Sequence, residues 1–146
     1  MFELKSIIYQ KCLKSTILCK AFHQGNLRCT IMDAKELYGK IMDIDPQIRF
    51  ATIASKDGKI EHTGHREGVT NVLTPDESKK SLQRAIDSWN ARSDLSDKIG
   101  EGKYVLAEYA KIKRITIPYG GEHLVYLTTD VQADHTKIIA ETLRLL

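Results

Sequence analysis

From residue 32 onward the apolar positions follow helical and extended spacing in clean alternation. Leu37, Tyr38, Ile41 and Met42 fall on one side of a short helix that Asp33 can cap. Asp45-Pro46 stops it, because the residue before a proline avoids helical backbone. Residues 48–54 read as a strand, Ser55-Lys56-Asp57-Gly58 as a hairpin turn with Gly58 supplying positive φ, and residues 59–63 as the returning strand. Thr74 is placed as the N-cap of a second helix, with Pro75 in its first position and Glu77 completing a capping box. Asp76 and Glu77 also suit the positive end of the helix dipole. Leu82, Ala85, Ile86 and Trp89 recur at helical spacing and are expected to face the core. The helix is expected to fray through NARSDLSDKIGEG, with Leu95 and Ile99 extending its buried face.

Three extended runs follow. KYVLAEYA and IKRITIP join tightly near Ala110-Lys111, and HLVYLTT comes after the turn Tyr119-Gly120-Gly121. ADHTKIIAETLRLL closes the chain as a helix, with Asp134 as its cap and Ile138, Ile139, Leu143 and Leu146 available to pack. The order is α-β-β-α-β-β-β-α. Strands joined by short turns make a five-stranded, mostly antiparallel sheet with helices on its faces, an α+β class. No internal repeat or low-complexity tract interrupts it.

Residues 1–31 differ from the rest. They hold five basic residues against one acidic and all three cysteines, Cys12, Cys19 and Cys29. Their apolar residues form a loose helical stripe that ends near Gln24-Gly25-Asn26. Three readings compete: an added helix, a basic amphipathic surface or targeting helix, or an upstream extension of the reading frame with the working start at Met32. The last is preferred, because a clean domain begins there. The expected organisation is therefore an N-terminal extension, 1–31, and an α+β domain, 32–146.

Composition changes this picture little. At 42% hydrophobic and 28% charged, a 146-residue chain can build one core. The net charge of +3 comes from residues 1–31, which carry +4. Residues 32–146 hold 17 basic and 18 acidic residues, a net −1, so overall charge gives no case for nucleic-acid binding. No apolar run reaches the roughly 20 residues that span a bilayer. MFELKSIIYQK lacks the compact apolar stretch and cleavage site of a secretory leader, which favours a reducing, cytoplasmic setting. The cysteines form no Cys-x-x-Cys pair and read as free thiols.

The element order and local wording resemble the roadblock/dynein light chain family of the profilin-like group. The resemblance covers roughly residues 33–146. It rests on IRFATIASKDGKIEHTG as a hairpin, the amphipathic helix around Leu82 and Trp89, GKYVLAEYAKIKRITIPYGGEHLVYLTT as a three-strand meander, and the closing helix. DPQIRFATIASKDGKI, ITIPYGGEHLVYLTT and KIIAETL are also similar to a small archaeal family of the same layout. The resemblance implies non-catalytic work. Such domains commonly pair through a sheet edge and helices and serve as platforms for small GTPases or motor subunits, with no catalytic residues to carry over.

The motifs that invite chemistry have plainer explanations. His62-x-x-His65 with Glu61 could begin a metal site, but a strand turns Glu61 and His62 to opposite faces, and a polar hairpin end with Arg66 accounts for the same residues. There is no Gly-x-Ser-x-Gly elbow and no Gly-x-x-x-x-Gly-Lys-Ser/Thr phosphate loop. Tyr119-Gly120-Gly121-Glu122-His123 leads into a strand rather than an anion-binding helix terminus. The Asp76/Glu77 and Asp94/Asp97 pairs read as caps and solvated helix faces. Lys111 to Arg114 is a basic run that strand alternation would split, with lysines expected to guard an edge. Trp89, Tyr104, Tyr109, Tyr119 and Tyr126 could line a small-molecule pocket, which keeps a PAS- or GAF-like sensor domain as the alternative.

The expectation is a non-catalytic, cytoplasmic interaction or scaffold domain. It has no catalytic, cofactor-binding or metal-binding residues and no nucleic-acid or membrane partner. It is homodimeric through a surface that includes Leu82, Ile86, Trp89, Tyr104 and Tyr109, and a small GTPase or other signalling protein is the implied partner.

Overall fold

The computed structural model describes residues 32–146; the readings of segment 1–31 and its cysteines lie outside the described residues. Helix α1 (Ala34–Ile44) precedes β1 (Ile48–Ser55) and β2 (Ile60–His65). Helix α2 (Pro75–Ser93) and one helical turn, α3 (Ser96–Ile99), lead to β3 (Val105–Glu108), β4 (Ile112–Tyr119) and β5 (His123–Asp130). Helix α4 (His135–Leu145) closes the domain. The single sheet runs β2-β1-β5-β4-β3, and every neighbouring pair is antiparallel. The last strand therefore lies in the middle, between β1 and β4.

The alternation of side chains splits the interior in two. Leu37 and Ile41 of α1 and Ile138 and Ile139 of α4 cover one face of the sheet, over Ile53, Ile115, Ile117, Val125 and Leu127. Leu82, Ile86 and Trp89 of α2 cover the other, over Ala54, Leu124 and Tyr126. The α1–α4 side holds the larger core. No helix among the described residues is long and apolar enough to cross a membrane.

The punctuation marks act as their chemistry dictates. Asp33 accepts from the Lys35 N–H at 3.2 Å and Asp134 from the Lys137 N–H at 3.1 Å, capping α1 and α4. Asp45 is extended at φ −154°, ending α1 before Pro46. Gly58 takes φ +99° in the β1–β2 hairpin, where the Ser55 hydroxyl and the Lys59 N–H hold the Asp57 carboxyl below its usual range. A bulge between Ile53 and Ala54 completes that turn.

At the start of α2, Thr74 Oγ1 accepts the Glu77 N–H at 3.3 Å while Glu77 Oε2 accepts the Thr74 N–H at 2.9 Å. These bonds hold the Glu77 carboxyl below its usual range. Thr74→Ala should cost about 1 kcal/mol in urea denaturation. A depressed folded pKa means that the Glu77 contribution is present in full above the ordinary carboxylate pKa and is lost as pH falls from there through the lower folded value. The stability gap between wild type and Glu77→Gln should therefore shrink on acidification from neutral pH.

Two expectations are corrected. Leu95 and Ile99 do not extend the buried face of α2; they are 55% and 79% exposed. The helix ends at Ser93 and the chain turns before α3, so helical spacing no longer aims these side chains at the sheet. The lysines of the 111–114 run do not guard an edge either. β4 lies inside the sheet, and Lys113 is buried on the α4 side, where Nζ donates to Ala133 O at 2.8 Å and lies 3.0 Å from His135 Nδ1.

Candidate functional site

The sheet is wider than the helix that covers its second face. α2 lies over β1 and β5, and the floor beyond it, toward β3, is made of small side chains: Val105 packs against the α2 cluster, while Ala107 and Thr116 line the open part. The result is a cleft of about 520 Å³ between α2 and the outer strands. Its helix wall carries Lys80, Ser81, Arg84, Ala85, Ser88 and Arg92, with Glu77 at one end. Trp89 and Tyr126 close the inner side, and Tyr109 and Arg114 stand on the strand side.

Arg114 sits with its guanidinium carbon 4.9 Å from the Tyr109 ring centroid, within cation–π range. Its Nε is sealed from solvent and has no hydrogen-bond partner among the described residues. Tyr126 Oη and Ser81 Oγ share a buried hydrogen bond of 3.1 Å. Burial raises the Tyr126 phenol above its ordinary pKa, partly offset by that bond and by the Arg114 charge. The cleft lining contains no histidine or cysteine, and its one carboxylate, Glu77, is engaged in the helix cap. Among the described residues lining the cleft, no histidine or free carboxylate stands beside Ser81 or Ser88 to activate a hydroxyl.

The outer edge of the cleft is also the edge of the sheet. Among the described residues β3 pairs only with β4, and the other side of its backbone has no strand beside it. Ile99, Tyr104 and Tyr109, near this edge in sequence, are 79%, 48% and 50% exposed.

Solved structures share this architecture. A roadblock/LC7 domain from Streptomyces avermitilis superposes with a TM-score of 0.61 at 16% identity, covering 80% of this chain and 92% of that one. The gliding protein MglB from Thermus thermophilus gives 0.65 at 15% identity, covering 77% and 82%. The fold is that of a roadblock domain. An MglB with a tetrameric arrangement also superposes, with a TM-score of 0.64 at 11% identity and 90% of each chain covered. No protein-family model matches the sequence. No curated protein matches it either.

Within the roadblock fold, the five residues expected on an interaction surface separate into two groups. Leu82, Ile86 and Trp89 point into the sheet at 7%, 1% and 5% exposure and fix the height of α2. Tyr104 and Tyr109 are half exposed at the β3 end, with Tyr109 at the rim of the cleft. Of the aromatics considered as pocket lining, Trp89, Tyr109 and Tyr126 meet in the cleft. Tyr119 lies on the opposite face, where its hydroxyl donates to Met32 O at 3.0 Å, and burial raises its pKa.

The histidines of β2 do not converge. His62 packs against Tyr38 of α1 at 4.7 Å between ring centroids, and His65 against Phe50 at 4.4 Å on the α2 side. No cluster of three or more metal-ligating side chains occurs among the described residues.

Sequence reasoning placed Arg66 at a polar, solvated hairpin end and Arg114 in a basic run, and missed what each one reaches. Arg66 donates to three carbonyls, Ile48 O, Met42 O and Asp45 O, at 2.7, 2.6 and 3.0 Å, and ties α1 to the start of β1. Alternation along β4 did signal that Lys113 and Arg114 face opposite sides; it could not signal that Arg114 enters a cleft.

Proposed function

We propose that residues 32–146 form a non-catalytic protein-interaction domain that assembles as a homodimer and presents the assembled surface to a protein partner, with a small GTPase as the class the roadblock resemblance suggests. The open edge of β3 carries this reading. A short edge strand, paired on one side only among the described residues and accompanied by exposed Ile99, Tyr104 and Tyr109, is a ready template for another chain. A second copy meeting it across a two-fold axis satisfies the backbone groups of both edges at once. The outer face of α2 lies on the same side and would widen the contact toward the area that stable interfaces need.

Light scattering after size exclusion tests the reading on the full chain. The expected result is a mass of twice 16.5 kDa, falling to the monomer value for Ile99→Lys combined with Tyr109→Lys, because two exposed apolar side chains become charges at the contact. A wild-type monomer at concentrations well above 10 µM, about the affinity of a weak transient contact, or a dimer untouched by the double substitution, would rule out the edge as the dimer contact.

A further inference from the structure

β3 offers a second copy only part of its backbone. The Tyr109 N–H donates to Ile112 O at 2.8 Å, so those two residues form a hydrogen-bonded pair at the end of the β3–β4 ladder. Such pairs alternate along antiparallel strands, and the next two are Ala107 with Arg114 and Val105 with Thr116. Leu106 and Glu108 fall between them, opposite Ile115 and Lys113, and their N–H and C=O groups point away from β4. Tyr104 continues the same alternation one residue before the strand. The side chains alternate as well. Val105, Ala107 and Tyr109 line the α2 side, Leu106 packs on the α1–α4 core, and Glu108 is exposed on that same side.

A two-fold axis through the sheet leaves each face on its own side. Residues that meet across the axis must then share a face, so the axis passes through one residue of β3 and its copy. The strand has four residues, and three of them fit poorly. At Glu108 two carboxylates would meet as a like-charge pair. At Ala107 each Leu106 would face the partner's Glu108, matching an apolar side chain with a charge twice. At Val105 each Glu108 would slide past the strand to the level of the partner's Gly102, and Gly102 packs against Trp89 outside β3. At Leu106 the pairs agree. Leu106 faces the partner's Leu106, Val105 faces the partner's Ala107, and Tyr104 faces the partner's Glu108. The outward backbone groups of Tyr104, Leu106 and Glu108 are then all used.

We propose that the homodimer pairs β3 with the partner's β3 in one register, centred on Leu106, and that Leu106 and Glu108 are the residues that select it. This rests on the dimer reading and adds which side chains recognise a second copy and which alignments they reject. The two sheets become one, and both α2 helices lie on the same side of it.

Leu106→Cys in the full chain tests the register. The Cα atoms of a hydrogen-bonded antiparallel pair are about 5.5 Å apart, within disulfide reach. Val105→Cys and Ala107→Cys are the controls, because in this register each lies about 8 Å from its own copy, beyond that reach. After mild oxidation and trypsin digestion, the peptide Tyr104–Lys111 joined to itself identifies the bond and separates it from any that involve Cys12, Cys19 or Cys29. The symmetric cross-link is expected to form at least about tenfold more in Leu106→Cys than in either control, given that difference in reach. Tyr104→Cys combined with Glu108→Cys places two thiols opposite each other at exposed positions. It should cross-link between copies too, which preserves the test if Leu106→Cys does not fold.

A dimer whose strongest cross-link falls at Val105→Cys or Ala107→Cys overturns the register and leaves the dimer standing. So does a dimer that forms no cross-link at any of these positions. A monomer by light scattering overturns the dimer reading, and the register with it.

Discussion

Leu127→Ala is expected to lower the unfolding free energy by about 4 kcal/mol, with the denaturant slope unchanged. Leu127 is fully buried in β5, the middle strand, beneath α1 and α4. Its register partners are Ala51 on β1 and Ile115 on β4. Ala51 is too small to fill the space, and β5 is hydrogen-bonded on both sides, so its backbone cannot settle into the gap. The loss therefore includes the transfer of the side chain and most of the cavity it leaves. A domain of this size is stable by only about 5–15 kcal/mol, so the variant should unfold at a much lower urea midpoint. Leu95→Ala is the matching control. Leu95 is 55% exposed, and its removal should stay within about 0.5 kcal/mol of wild type. Equal losses at both sites would contradict the placement of the core on the α1–α4 face.

Arg66→Ala is expected to cost about 3 kcal/mol, more than any surface cation should. Its guanidinium serves carbonyls from the last turn of α1, the turn that follows, and the first residue of β1. Charged hydrogen bonds of this kind contribute more than neutral ones, and removing the donor leaves part-buried carbonyls without partners. Arg66→Lys should recover only part of the loss, because one ammonium cannot reproduce a fork that reaches Ile48 on one side and Met42 on the other. Hydrogen exchange should locate the damage in the last turn of α1 and the start of β1. A loss below about 1 kcal/mol, the level of an ordinary surface pair, would show that water replaces the guanidinium without penalty.

The sequence was most legible where one or two residues dictate backbone geometry. Thr74-Pro75 with Glu77, Asp45-Pro46, Asp57-Gly58 and Gly120-Gly121 each act through constraints that need no distant partner, and each punctuates the chain as read. The alternation along β2 was equally local, and it sends His62 and His65 to different neighbours. It misled at Leu95 and Ile99, because their apolar character was extrapolated along a helix that had already ended. It misled at Lys111 to Arg114, because edge or interior is a property of strand order, and four residues cannot report the strands beside them.

The candidate cleft was visible only in fragments. Trp89, Tyr109 and Tyr126 belonged to one set of aromatics with Tyr104 and Tyr119, and nothing in their spacing separated those that meet from those that do not. The separation comes from register: Tyr126 pairs with Thr116, and Ala107 with Arg114, which puts these four on one face beside α2. Small floor residues then leave the gap, an absence of bulk that no motif records.

By itself the sequence determined the elements, their order, their caps and turns, and the α+β class, since these follow from periodicity and from backbone constraints acting over a few residues. The tertiary structure alone decided that β5 occupies the centre, that α2 covers only part of its face, that Arg66 joins α1 to β1, and that the cations of α2 gather opposite Arg114. Those outcomes depend on which distant strands pair and on how far a helix can settle before side chains touch. They are long-range packing results, and local sequence carries no record of them.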